Sequence, residues 1–333
     1  MKSTALILGT ALALLSGCSS MPTLPADHGH KPPAPEFWLD LARGEEVTDA
    51  EVFGDLATAG VVFVGEAHTI QRHHAVQLRV LQELFARGVP LALCLEQLEA
   101  RDQPAVDRYN RREIDFETLA QEIYWAKKWG NYPDYRALCE FAREHRIPVR
   151  ALNAPADIIR AVSRGGGLAK LPTDERAQLP ADIVLEDPAY ERLTNLELAV
   201  HMAMDPAKLR PVFEAQVSRD ETMAANIVAA RHTDCPTDKP RTALVVVGAG
   251  HMRFGLGTAD RVRRREPGLV ERLVIMTESG ELQMTEGQKA QSREITIAHA
   301  DLRAIGRVPA DYVRVLPRQP ELPPGHPPTT KQD

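Results

Sequence analysis

Aromatic side chains make up only 5% of this 333-residue chain, and cysteine occurs four times. So few rings argue against a deep cavity around a large flat ligand, while leaving a shared or partly exposed surface site open. Also missing are a Gly-x-Ser-x-Gly elbow, a His-Glu-x-x-His helix, a Walker phosphate loop and a Cys-x-x-Cys-His run. Their absence removes the common serine-hydrolase, zinc-peptidase, nucleotide-binding and c-type cytochrome readings. Charge of one sign does not dominate either: the formal net charge is -6. The basic run Arg261 to Arg265 is too short and local to imply a nucleic-acid partner and reads as a helix surface. Past residue 15, no apolar run is long enough to span a bilayer.

What is present begins with Lys2, the apolar run Ala5 to Leu15, and then Leu15-Ser16-Gly17-Cys18. That order is a lipoprotein signal: residues 1–17 are expected to be removed and Cys18 to carry lipid. Ser19, where an aspartate would favour the inner membrane, points to the periplasmic side of the outer membrane. Residues 18–36 hold five prolines and no apolar periodicity, the composition of a flexible tether. Within it, His28 and His30 read as solvated. Residues 37–315 are expected to form a single domain, and residues 316–333, proline-rich again, a disordered tail. Once Cys18 is lipidated, Cys94, Cys139 and Cys235 remain, an odd number that allows one disulfide at most. Cys94, inside LALCLEQ, reads as a small buried hydrophobe.

Four apolar stretches are continuous rather than alternating: Gly60 to Glu66, Pro90 to Glu96, Ile147 to Asn153 and Thr242 to Gly248. Continuity of this kind marks strands covered on both faces, as in parallel sheets. A fifth strand is expected at Arg272 to Met276, followed by a turn at residues 278–281 and a short strand at Leu282 to Met284. Between the first two strands, His74 to Ala86 repeats apolar residues at helical spacing. The predicted fold is α/β, a mostly parallel open sheet flanked by helices. Helical insertions over about 98–146 and 154–241 form a further layer or lid.

Polar residues fall at the ends of these strands. Glu66 and His68 close the first, Glu96 the second, Asn153 the third and His251 the fourth. Open parallel sheets bind ligands outside the carboxyl ends of their strands, so four strands deliver carboxylates and imidazoles to one rim. Two His and two Glu in that place suit a divalent metal with Glu66, His68, Glu96 and His251 as ligands, or acid–base work by the same residues in a hydrolase. Gly-x-x-His occurs twice, at 65–68 and 248–251, which suggests equivalent turns. His73 and His74 start the following helix, where one of them can face the crevice. Gln216, Asp220 and Met223 share a helical face that, as a bare pattern, reads as solvated. Trp125, Trp129, Tyr132 and Tyr135 concentrate rings that serve either as core or as the wall of a flat ligand site.

Taken in order, Gly65-Glu66-Ala67-His68, His73-His74 with Gln77, Glu96, the stretch Trp129 to Tyr135, Asn153-Ala154-Pro155, Gln216 with Arg219-Asp220 and Met223-Ala224, and Gly248-x-Gly250-His251 resemble the ChaN-like haem-binding lipoproteins of the Tiki superfamily. The resemblance implies an outer-membrane lipoprotein that binds haem and assists its uptake, with haem at the junction of a homodimer and an outer-membrane haem receptor as partner. It further implies a tyrosine on the haem iron, for which Tyr132 and Tyr135 both stand as candidates, beside His68, His73, His74 and His251 as haem-site residues. The superfamily also includes metal-dependent peptidases and histidine-dependent esterases, so a hydrolase is the alternative. After His251 the chain carries Gly255-Leu256-Gly257 where the family has a Gly-Ile-Pro-like turn.

Overall fold

A computed structural model of the chain describes residues 36–201, 209–235, 239–279 and 306–317. Cys18 and its signal, residues 18–35 of the tether, the strand expected at Leu282 to Met284 and residues 318–333 lie outside the described residues.

Strands β3 (Val61–Glu66) and β6 (Thr242–Gly248) are buried at every position. Alternate residues leave each strand toward opposite faces, and both faces are covered. From β3, Val62 and Val64 join one apolar cluster with Val80, Leu81 and Leu84 of α2 (Gln71–Ala86). Val61 and Phe63 join another with Met223, Ala224 and Ile227 of α10 (Leu209–His232) and Val262 of α11 (Thr258–Arg265). A fully buried valine or leucine contributes about 1.5–3 kcal/mol, so a run such as Val61-Val62-Phe63-Val64 anchors the sheet from both sides.

The remaining strands are β1 (Phe37–Asp40), β2 (Glu45–Val47), β4 (Leu91–Glu99), β5 (Val149–Asn153), β7 (Glu271–Ser279) and β8 (Tyr312–Pro317). They form one open eight-stranded sheet in the order β2-β1-β8-β7-β3-β6-β4-β5. From β8 to β5 every pairing is parallel. Only β1 runs antiparallel, to both β2 and β8. The α/β reading holds. The chain passes from β3 to β4, leaving a gap that β6 later fills, so β3, β6 and β4 stand side by side with their carboxyl ends together.

Four expectations change. Strand β4 runs three residues further than Glu96, through a register shift between Leu95 and Glu99 that keeps Glu96 and Gln97 buried at the rim. Glu278 and Ser279 lie in β7 rather than in a turn, because β8 pairs with them. β8 also takes Leu316 and Pro317, read from the sequence as the start of a disordered tail, into the sheet. Finally, the run Arg261 to Arg265 is no plain helix surface. Arg261 is 2% exposed, and Arg261, Arg264 and Arg265 all reach the buried carboxylate of Glu221.

Helices occupy the two long gaps. Between β4 and β5 stand α3 (Gln103–Asn110), α4 (Phe116–Glu122), α5 (Trp125–Lys128) and α6 (Arg136–Glu144); between β5 and β6 stand α7 (Ala156–Gly165), α8 (Thr173–Arg176), α9 (Pro188–His201) and α10. α1 (Asp49–Leu56) follows β2 and starts with a capping box between Thr48 and Glu51. Cys94, Cys139 and Cys235 are free thiols, the first two buried.

Candidate functional site

Glu66 is the last residue of β3, and its register partner on β6 is Gly248. Side by side, the two strand ends fit through their glycines. A Cβ on Gly65 would lie 2.8 Å from Met252 Sδ and 3.1 Å from Ala249 Cα, atoms of the turn after β6. A Cβ on Gly248 would lie 2.8 Å from His68 Nε2, in the turn after β3. Each glycine therefore makes room for the other strand's turn, which is why the Gly-x-x-His spacing occurs twice.

Around Glu66 the donors close in from five side chains. Oε1 accepts from Gln97 at 3.0 Å and from the Tyr135 hydroxyl at 2.5 Å, and pairs with His68 Nδ1 at 2.7 Å. Oε2 accepts from Gln77 at 2.6 Å and faces His74 Nδ1 at 3.2 Å. Burial alone would raise this carboxyl, but the hydrogen bonds from His68, His74 and Tyr135 and the charge at His74 bring it down to about 2. Burial would likewise lower His74, and the same carboxylate raises it. His68 follows suit: its bond to Glu66 and the charges of Glu96 and Glu66 outweigh desolvation.

A second cluster stands beside the first. His251, buried after β6, sets Nδ1 2.6 Å from Asp220 Oδ1 and Nε2 3.3 Å from Glu96 Oε1. Glu96 Oε2 accepts the Gly248 N–H at 2.6 Å, and Asn153 holds the Glu96 carbonyl at 3.0 Å. Asp220 also accepts from the hydroxyls of Tyr190 at 2.7 Å and Thr258 at 2.8 Å. Desolvation would lower His251, yet the two flanking carboxylates carry it up to about 10, so it is a buried imidazolium at neutral pH. For Glu96, the imidazolium and the Gly248 amide override burial and keep the carboxyl far below its usual range.

The rim thus brings Glu66, His68, Glu96 and His251 together. It does not arrange them for a metal. Both oxygens of Glu66 and Glu96 and both ring nitrogens of His251 are taken up by protein groups, and among the described residues no group of three or more His, Cys, Asp or Glu is placed to hold an ion. The two turns are not equivalent either: His68 is 35% exposed and pairs with its own strand, whereas His251 is 8% exposed and pairs with α10 and β4. His73 and His74 both point inward but diverge. His74 turns to Glu66, while His73 Nδ1 accepts the Ala67 N–H at 2.9 Å and burial lowers its imidazole to about 4. Asp220, on a helix face that reads as solvated, is completely buried.

Comparison with known proteins now decides the family. Residues 52–262, more than half of the chain, match the family described as "Haem-binding uptake, Tiki superfamily, ChaN". The chain belongs to the ChaN family. Its fold matches that of ChaN of Campylobacter jejuni, described with cofacial haem binding, at 16% identity and a TM-score of 0.60, over 84% of this chain and 96% of that one. More distant likenesses include the C-terminal region of Pasteurella multocida toxin, at 11% identity and a TM-score of 0.40 over 69% of this chain and 25% of that one. The erythromycin esterase EreC stands at 11% identity and 0.40, over 68% and 72%. No curated protein matches.

For a ChaN-family chain, the tyrosines matter next. Tyr135 is fully buried, stacked on Trp125 and committed to Glu66, and burial with that carboxylate raises its phenol far above the usual range. In this structure its hydroxyl is turned to Glu66 rather than to the surface. Tyr132 is half-buried between Phe116 and Trp125. Tyr124, which the sequence did not single out, is 64% exposed at the start of α5, with Lys127 Nζ 5.1 Å from its ring centre. Trp129, at the other end of α5, stands edge-on to His68 with ring centres 4.8 Å apart. A surface-laid porphyrin needs planar contact, an iron base and a cation for its propionates. Side chains of those kinds stand at the two ends of α5: Tyr124 beside Lys127 at one, and Trp129 against His68 at the other.

Proposed function

We propose that this chain binds haem on the surface formed by α5 and the His68 turn and serves its uptake as a lipoprotein. The observations that carry this reading are the exposed phenol of Tyr124 at the start of α5 and, at the other end of α5, the edge contact of Trp129 with His68, in a chain of the ChaN family. Bound haem supplies an iron that takes an oxygen or nitrogen base and a flat apolar face. Tyr124 offers the base, Trp129 the planar contact, and Lys127 a charge for a carboxylate. A flat ligand lying on a surface leaves its second face open, which a second copy of this chain would cover. The proline-rich tether and lipidated Cys18 would hold the domain at the periplasmic side of the outer membrane, within reach of a haem receptor.

The hydrolase alternative finds less support. A general base needs a neutral imidazole or a carboxylate poised near neutral pH. His251 is held up to about 10 and Glu66 down to about 2, which suits fixed charges rather than proton carriers.

Haemin titrated into the purified chain tests the reading. A saturable Soret shift whose midpoint rises about tenfold or more in haemin when Tyr124 is replaced by phenylalanine is the expected result. Haemin uptake equal to that of a non-binding carrier protein, with no defined stoichiometry, would overturn it.

A further inference from the structure

At the amino edge of the sheet, away from the rim, lies a cleft of about 500 Å³. Val149 opens β5 there, and Asn153 closes the same strand at the rim. Six arginines line the cleft: Arg111 and Arg112 after α3, Arg143 and Arg146 at the end of α6, Arg150 on β5 and Arg241 before β6. Only two carboxylates, Asp107 and Asp234, share the lining, leaving a net charge of +4 in a chain whose net charge is -6.

Arg111 pairs with Glu113, and Arg150 with Asp107 and Asp234; among the described residues, Arg112, Arg143, Arg146 and Arg241 have no carboxylate partner. Arg112 donates to the carbonyls of Arg143 and Glu144, Arg143 to those of Tyr109 and Ile114, and Arg241 to those of Leu91 and Asp234. Carbonyls fix a guanidinium's direction without cancelling its charge. The exposed Arg146 side chain meets no hydrogen-bond or ion-pair partner among the described residues. Nε of Arg150 and Nε of Arg241 are buried N–H donors that find no acceptor. Backbone strain gathers here too. Of the five non-glycine residues with positive φ among the described residues, Arg112 (65°), Arg146 (56°) and Asp234 (47°) all line this cleft. Such conformations persist where the surroundings over-determine them, often at ligand sites.

We propose that this cleft binds a phosphate-bearing anion. Planar guanidinium forks pair two N–H donors with two oxyanion acceptors, and several forks around one concavity select tetrahedral, multiply charged groups over chloride. The anion is either a soluble phosphate compound or the headgroup of an anionic phospholipid, since both present the same oxygens. This site is independent of the haem surface and of the reading built on it.

Calorimetric titration of the full chain with inorganic pyrophosphate tests the proposal, beside co-sedimentation with phosphatidylglycerol and phosphatidylcholine vesicles. The variant is Arg146→Gly, which removes the unpartnered guanidinium and relieves the positive φ. Saturable binding of pyrophosphate, weakening as salt rises and falling about fivefold or more in Arg146→Gly with its Tm unchanged or raised, supports a soluble phosphate ligand. Binding to phosphatidylglycerol vesicles alone, with the same loss in the variant, supports the lipid source. No saturable binding of either probe, or Arg146→Gly binding as tightly as the unaltered chain, overturns the proposal.

Discussion

The imidazole of His68 occupies the space that a side chain at Gly248 would take, since a Cβ there would lie 2.8 Å from Nε2. Replacing Gly248 with alanine therefore forces His68 out of the Glu66 hydrogen bond or bends β6. Overpacking of this kind costs about 1–3 kcal/mol. Urea unfolding should show that loss, and the His68 ring resonance should titrate at a lower pH, because its bond to Glu66 is what raises it. An unchanged His68 titration in the alanine variant would mean that the two strand ends do not interlock in this way.

Asp220 anchors His251 from the opposite side, and both are buried. Removing one partner of a buried pair leaves the other charge uncompensated, at a cost of about 3–5 kcal/mol. Asp220→Ala should therefore destabilise the fold by that order, with Asp220→Asn closer to the unaltered chain because its carbonyl oxygen still accepts from His251 and Thr258 while only the bond from Tyr190 is lost. Equal urea midpoints for the alanine variant and the parent would remove the buried imidazolium from the account of this site.

These charges also set a pH window. The His251 pKa, held at about 10 in the fold against an ordinary 6.5, makes its contribution fully present below pH 6.5 and lost as pH rises toward 10. That of Glu66, at about 2 against an ordinary 4.5, makes a contribution present above pH 4.5 and lost as pH falls toward 2. Together they stabilise most between 4.5 and 6.5. Thermal unfolding should lose more stability between about pH 6 and about pH 9 in the parent chain than in His251→Gln, which carries no titrating imidazole. Parallel profiles for the two proteins would contradict the assignment.

What the sequence reveals follows from where each element sits. β3 and β6 read plainly because two covered faces leave a continuous apolar run, whose end residues then mark the rim. β1 and β8 did not read, since β8 alternates around Arg314 and its partner β1 lies at the far end of the chain, as in Trp38 beside Arg314. Asp220 was missed for a related reason. α10 is enclosed on several sides, with Val217, Ser218, Asp220, Glu221 and Met223 all buried, so it has no polar stripe to separate solvent from core. Its polar residues are satisfied by Tyr190, His251 and the arginines of α11, contacts that no local pattern announces.

Tyr124 and Tyr135 separate surface binding from internal support. Tyr135→Phe removes a buried hydroxyl from the Glu66 carboxylate, a charge-assisted bond for which about 1.5–3 kcal/mol is typical. It should lower the unfolding midpoint while haemin affinity stays within about twofold, since a change under about 0.4 kcal/mol at the surface site is all that twofold represents. Tyr124→Phe touches an exposed phenol and should leave the midpoint unchanged, yet weaken haemin binding by about tenfold or more, the equivalent of about 1.4 kcal/mol. Absorbance titration and thermal melts on the same two variants read both effects. If Tyr135→Phe lost the pigment and Tyr124→Phe kept it, the iron base would have to be sought beneath the rim, where Tyr135 and His74 meet edge-on with ring centres 4.6 Å apart, and haem would have to enter a part of the molecule that is closed in this structure.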